Sequence, residues 1–244
     1  MRERYMGGAA ITPAMLNLHN HTTFSDGAWT VQEILGAAAR SGLSVIGISD
    51  HFATSKVHCV MPGELAQYAA AIREAARPYG GRLRVLAGAE IDSSAKRTDF
   101  SSIDLKALGA LDYALFEYVE DGDADGMPLW EFLDVRKKVA CKAGLAHNDF
   151  ARNFKDMDAG ELASVLAGNG IFLEMSTNRS YGRLGKQYYR LWPDLFVRHA
   201  KAGGALSIGC DIHSQLARVG DVADALDFLD AHGIRGALDG WLRA

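Results

Sequence analysis

The sequence predicts an α/β protein in which helices cover a parallel sheet, and three observations predict it. Short, near-continuous apolar runs recur along the chain, each ends on a polar or charged residue, and each is followed by a helical stretch closed by a glycine. Repeated βα units of this kind build either a closed barrel or an open doubly wound sheet, and periodicity does not choose between them.

The first strand is LNLHNH, Leu16 to His21, which leads into a helix from about Thr30 to Ser41. Thr30 and Glu33 have capping-box spacing, Val31, Ile34, Leu35 and Ala38 make an apolar stripe, and Gly42 closes the helix. LSVIGISDH is the second strand, GELAQYAAAIREAARPYG the second helix, and LRVLAGAEID the third strand. LDYALFEYVE, KAGLAHND, GIFLEMSTN and GALSIGCDIHS supply four more strands. The intervening helical runs are PLWEFLDVRKKVACKAG, DAGELASVLAGNG and the long KQYYRLWPDLFVRHAKAGG, and DVADALDFLDAHGI closes the chain. The aromatic cluster Tyr181, Tyr188, Tyr189 and Trp192 has helical spacing with leucines interleaved, so core packing is its expected role.

Composition bounds the function. Apolar residues make up 48% and charged residues 23%, as in ordinary globular enzymes. A net charge of −4 offers no basic footprint for duplex nucleic acid. The three cysteines, Cys59, Cys141 and Cys210, lie far apart, so neither a disulfide framework nor a thiolate zinc site is expected. No run reaches the roughly 18 apolar residues of a membrane span, and the start lacks a signal peptide's apolar segment. A cytoplasmic, membrane-free protein is the expectation, as one domain over 1–244 with an N-terminal extension at 1–14. Oligomeric state is not readable from the sequence.

The strand ends carry the chemistry. His19 and His21, Asp50 and His51, Glu90, Glu117, His147, Glu174, and Asp211 with His213 all fall where a predicted strand stops. In a βα barrel those ends gather at one face, where active sites lie. So many imidazoles and carboxylates are costly together unless positive charge lies between them. Imidazole and carboxylate without thiolate suit zinc, manganese or iron, and the set exceeds what one ion uses. His19 and His21, two apart on a strand, point the same way and can grip one ion. Glu174 is expected to orient a ligand histidine. His199 and His232, in helices ahead of glycines, and His58, in a loop, are left outside the site.

The ordered series HNHTTFSDG, SDH, GAE, LAHND, LEMSTN and IGCDIHS resembles the PHP (polymerase and histidinol phosphatase) family and runs over nearly the whole chain. The resemblance implies a distorted seven-stranded, TIM-like (β/α)7 barrel, two or three divalent metal ions and phosphoesterase activity, similar to the histidinol phosphatases. It matches His19, His21, Asp26, His51, Glu90, His147, Asp211 and His213 to the family's ligands, with Glu90 bridging. Family members often carry a histidine where this chain has Val119; Glu117, two residues earlier, either replaces that ligand or forms a salt bridge at the rim.

The mechanism this implies is attack on phosphorus by a metal-bound hydroxide, with Glu90, Asp211 and His213 carrying the catalysis. Basic residues should complete the grip on phosphate, and Arg179, Arg183 and Arg218 follow the sixth and seventh strands, whereas Lys186 and Arg190, four apart, have the spacing of a solvated helix face. A small phosphorylated molecule is the expected substrate. Two alternatives stand beside it: a PHP-type nuclease acting on short single strands, and a non-catalytic metal-binding regulatory domain.

Overall fold

The computed structural model describes residues 15–242, and the expected extension over 1–14 lies outside them. In chain order the elements are β1 (Leu16–Asn17), α1 (Val31–Arg40), β2 (Val45–Ile48), β3 (His51–Phe52), α2 (Leu65–Ala76), β4 (Arg84–Asp92) and β5 (Tyr113–Glu117). Then follow α3 (Leu129–Arg136), β6 (Lys142–Leu145), α4 (Phe150–Asn153), α5 (Ala159–Gly168), β7 (Ile171–Ser176), β8 (Gly182–Arg183) and β9 (Lys186–Gln187). The last are α6 (Pro193–Lys201), β10 (Leu206–Gly209), α7 (Ala223–Ala231) and α8 (Asp239–Leu242).

Seven strands run parallel in the order β1-β2-β4-β5-β6-β7-β10, and β3 continues the line of β2 along β4 after a break at Ser49 and Asp50. The ends of the sheet meet. Leu18 N–H donates to Ile208 O at 2.7 Å, His21 N–H donates to Ile212 O at 2.9 Å, and Asn20 bridges Ile212 in parallel. The result is a nearly closed seven-stranded barrel ringed by helices, which resolves the choice that periodicity left open.

Local chemistry sets the elements. Glu33 N–H donates to Thr30 Oγ1 and Thr30 N–H donates to Glu33 Oε2, so the capping box forms as its spacing predicts. Val31, Ile34, Leu35 and Ala38 are buried as one face. The long run KQYYRLWPDLFVRHAKAGG differs from expectation. Its start pairs with Gly182–Arg183 as a two-stranded hairpin, Tyr188–Arg190 makes a single 3-10 turn, and the helix begins only at Pro193. Proline has no N–H to donate and is pre-set for the first turn, so it starts a helix and does not sit inside one. Lys186 and Arg190 therefore do not share a helix face.

One mouth of the barrel is filled and the other is left polar. Tyr113 occupies the interior, where Gly47 and Gly88 leave room for its ring, and its hydroxyl donates to Leu18 O at 2.5 Å. Phe172 lies over Gly144, and Trp241 of α8 packs edge-on against both Phe172 and Tyr113. Trp241 Nε1–H donates to Leu206 O at 2.8 Å, Arg84 donates to Trp241 O at 3.0 Å, and Lys142 Nζ lies 4.2 Å from the indole ring. Leu206, Arg84 and Lys142 each begin a strand, so α8 plugs the N-terminal mouth. Polar residues gather at the opposite end.

Candidate metal centre

Five imidazoles and four carboxylates meet at the C-terminal ends of the strands. Among the described residues, four groups each place their ligand atoms within 4.8 Å of one another: His21, Asp26, His51 and His213; His19, His21 and Asp211; His19, Glu90 and His147; His51, Glu90 and Glu117. All nine metal-ligating candidates read from the sequence fall in these groups.

Register produces the convergence. His51 of β3 lies opposite Glu90 of β4, and the same ladder sets Asp92 opposite Glu117 of β5. Glu90 stands at the middle. Its Oε1 is 2.9 Å from His147 Nε2 and 3.3 Å from His19 Nε2, and its Oε2 is 3.2 Å from His51 Nδ1 and 3.4 Å from His21 Nε2. Each oxygen thus serves a different pair of histidines. Asp211 Oδ1 lies 3.1 Å from His21 Nε2 and 3.5 Å from His19 Nε2. Asp26 and His213 form the open rim, 29% and 34% exposed and 3.3 Å apart, and the His213 ring stacks on His21 with centroids 4.1 Å apart.

Supporting residues fix the imidazoles. His19 Nδ1–H donates to Glu174 Oε1 at 2.8 Å, and the other oxygen of Glu174 accepts the His147 backbone N–H at 2.7 Å. This leaves His19 Nε2 as a lone-pair donor facing Glu90, Asp211 and His21. Asp50 falls in none of these four groups. Its carboxylate accepts from Thr22 N–H, Thr22 Oγ1 and Ser25 Oγ at 2.6–2.8 Å, and so shapes the loop that carries Asp26. Gly27 permits that loop to fold back, because a Cβ there would meet His21 O at 2.3 Å. His147 and Asp211 both lie in the left-handed region, at φ 27° and 48°, as do Ala53 and Tyr118 nearby. Non-glycine residues held there carry strain that the surroundings must overcome, and such strain concentrates at functional sites.

The donor set fits divalent ions. His51 Nδ1 and Asp211 Oδ1 are buried and make no hydrogen bond, which is costly for isolated polar atoms and ordinary for ligands. Without positive charge between them, the acids force protons onto the bases. Burial opposes a charge on His21, yet Asp211 and Glu90 outweigh it and hold the imidazole up to about 10. Burial also works against the Asp26 carboxylate, but His213, His21 and His51 hold it down to about 2. His51 goes the other way, pushed down to about 3 chiefly by desolvation. Desolvation, together with the neighbouring Glu90, raises Glu117 to about 7 despite Lys56 beside it.

Some side chains lie elsewhere than the sequence implied. Glu117 is buried beneath the rim, with Lys56 Nζ 2.6 and 2.8 Å from its two oxygens. Val119 is buried in the core. Arg179, Arg183 and Arg218 line one cleft of about 790 Å³ together with Thr177, Lys186 and Arg190. Arg183 is held by Asp149 at 2.8 Å and Arg218 by Asp221 at 3.0 Å, whereas Arg179 has no such partner among the described residues. Tyr181 departs from its expected core role. Its ring stacks on His147 at 3.8 Å and 2°, while Tyr189 is the residue that packs in the core against Phe196 and Phe228. Sequence reading also missed Lys56, which lies in the loop after β3 with no periodicity to mark it.

Residues 17–121 match the family described as PHP domain. No curated protein matches it in sequence. Among solved structures, its PHP fold is similar to histidinol phosphate phosphatase (HISK) from Lactococcus lactis subsp. lactis Il1403, crystallised with zinc, L-histidinol and phosphate. That similarity has a TM-score of 0.64 at 18% identity and covers 91% of this chain and 94% of that one. The hisK protein from Listeria monocytogenes is similar with a TM-score of 0.57 at 15% identity, over 84% of this chain and 96% of that one. At these identities the likeness is one of fold. No helix of the described residues is long and apolar enough to cross a membrane.

Proposed function

We propose that this chain is a metal-dependent phosphoesterase that hydrolyses a small phosphate ester. The observation that carries the reading is Glu90, a buried carboxylate whose two oxygens face different histidine pairs, the arrangement a carboxylate shared between two ions requires. His19, His21, Asp26, His51, His147, Asp211 and His213 complete the ligand set, and Glu117 stands apart because Lys56 already engages it. Zinc, manganese and iron all suit these donors. Divalent ions bound there supply positive charge for the phosphoryl oxygens and acidify water at neutral pH.

The chain's own residues do the rest. Glu174 holds His19 in the tautomer that presents Nε2. Arg179, with no ion-pair partner among the described residues to displace, is the cleft arginine most free to grip phosphate, and Arg183 and Arg218 border the same cleft. His213 lies beside Asp26 at the open rim, the side from which a substrate would reach the centre. The zinc, L-histidinol and phosphate bound to the Lactococcus enzyme support a phosphate ester of similar size as substrate here.

The test is hydrolysis of an aryl phosphate monoester, the matching diester and a short single-stranded oligonucleotide. The chain is stripped of metal and resupplied with manganese or zinc, with His21→Ala and Asp211→Asn as controls. Turnover of the monoester or diester that needs metal and is lost in both variants is expected. Oligonucleotide cleavage alone would move the chain to the nucleases, and no turnover with metal bound would overturn the reading.

A further inference from the structure

Among the described residues, the corner formed by His51, Glu90 and Glu117 differs from the other three donor groups in having a lysine ammonium against one of its carboxylates. Lys56 Nζ sits against both oxygens of Glu117, at 2.6 and 2.8 Å, and also donates to Tyr118 Oη at 3.2 Å while lying 5.0 Å from the Tyr118 ring centroid. Glu117 is 1% exposed, and the Lys56 side chain 27%. A lysine at that depth gives up much of its hydration, and it does so only where a buried carboxylate compensates.

The loop that carries Lys56 is built to deliver it. Lys56 N–H donates to Thr54 Oγ1 at 3.1 Å, Ser55 N–H to Arg97 O at 2.8 Å, and Ala53 N–H to Val60 O at 3.0 Å. Ala53 takes a left-handed conformation, φ 54°, to start the turn. Arg97 cannot take over the role of Lys56, since its guanidinium is committed to Asp92 at 2.5 and 3.0 Å. Among the described residues, Lys56 is the cation hydrogen-bonded to Glu117, while His51 Nδ1 stays 3.9 Å away.

We propose that the Lys56 ammonium is a resident cation that occupies the ligand face of Glu117 and keeps the His51, Glu90 and Glu117 corner from taking a divalent ion. Bound ions are confined to the groups built on His19, His21, Asp26, His51, Glu90, His147, Asp211 and His213. The ammonium does at this corner what an ion does elsewhere in the centre: it offsets the charge of two neighbouring carboxylates. Unlike an ion, it cannot acidify water or accept a phosphoryl oxygen into its coordination sphere. The inference rests on the metal-centre reading, but not on any particular substrate.

The experiment is metal counting by inductively coupled plasma mass spectrometry on the whole chain, equilibrated with excess manganese or zinc and desalted. Thermal melting monitors the fold. Wild type is compared with Lys56→Met, Lys56→Gln, Lys56→Arg and the double variant Lys56→Met with Glu117→Gln. If the wild type binds n ions, both neutral variants should bind n + 1, and Lys56→Arg and the double variant should stay at n. Two neutral variants are used so that a folding failure of one leaves the other to decide. An unchanged count in the folded neutral variants, or a gain that survives loss of Glu117, overturns the proposal. A wild type that binds metal but hydrolyses no phosphate ester would sink the proposed function and leave this inference standing, whereas a wild type that binds no metal would sink both.

Discussion

Glu174→Gln tests the centre through a residue that is not itself one of the converging ligands. The carboxylate of Glu174 accepts two hydrogen bonds, from His19 Nδ1–H at 2.8 Å and from His147 N–H at 2.7 Å. Glutamine has nearly the same shape, but one of its two terminal atoms is an NH2 group. Whichever way it turns, one donor faces another donor. A hydrogen bond to a charged group contributes about 1.5–3 kcal/mol, and its loss converts to roughly a 10- to 150-fold weakening. Metal affinity falls in either orientation, because one turns the NH2 against the His19 ring and the other against the turn that holds His147 at φ 27°. Loss of such supporting partners typically costs about 10- to 100-fold in metal affinity, which agrees. The assay is chelator competition on the apo-protein, with a thermal melt to confirm folding. A companion variant, Gly209→Ala, should weaken metal binding further, since its Cβ would meet both Glu174 Oε1 at 1.8 Å and His19 Cβ at 2.6 Å. Wild-type affinity in folded Glu174→Gln would refute the claim that Glu174 sets the His19 tautomer.

Metal binding should tighten as pH rises. His21 is held up to about 10 by Asp211 and Glu90 against the opposing effect of burial; an ion needs the neutral ring, so a proton must leave below that pH, and apparent affinity should rise about tenfold per pH unit for each proton displaced. Chelator competition at pH 6, 7 and 8 reads the slope, and a flat profile would mean that His21 is not a ligand. Tyr181→Ala removes the ring stacked on His147 at 3.8 Å and should cost about 0.5–1.5 kcal/mol, a few-fold to roughly tenfold in metal affinity, whereas Tyr181→Phe should retain it. Equal loss in both would assign the effect to the hydroxyl. Gly47→Ala would set a Cβ 2.1 Å from Tyr113 Oη and 3.0 Å from Leu18 Cα; overpacking of this kind costs about 1–3 kcal/mol, and a drop of several degrees in melting temperature is expected.

The parts of the site legible in the sequence are those fixed by strand register. A residue at the end of a parallel strand in a barrel has little choice of direction, so the convergence of His19, His21, His51, Glu90, His147 and Asp211 is legible in the sequence. The parts that were not legible depend on loops, where no period constrains the side chain. KQYYRLWP reads as helical because Tyr188, Tyr189 and Trp192 mimic a 3.6-residue stripe, yet Pro193 starts the helix and frees the preceding residues to form the hairpin that borders the arginine cleft. Tyr181 could then leave the core and reach His147. Glu117 shows the limit most clearly. Its position at a strand end marked it as part of the centre, and burial agrees, but its partner is decided by Lys56, five residues beyond His51 in a loop of no regular period. Carboxylate and imidazole positions therefore say where charge must be balanced, while the loops decide whether an ion or a side chain balances it.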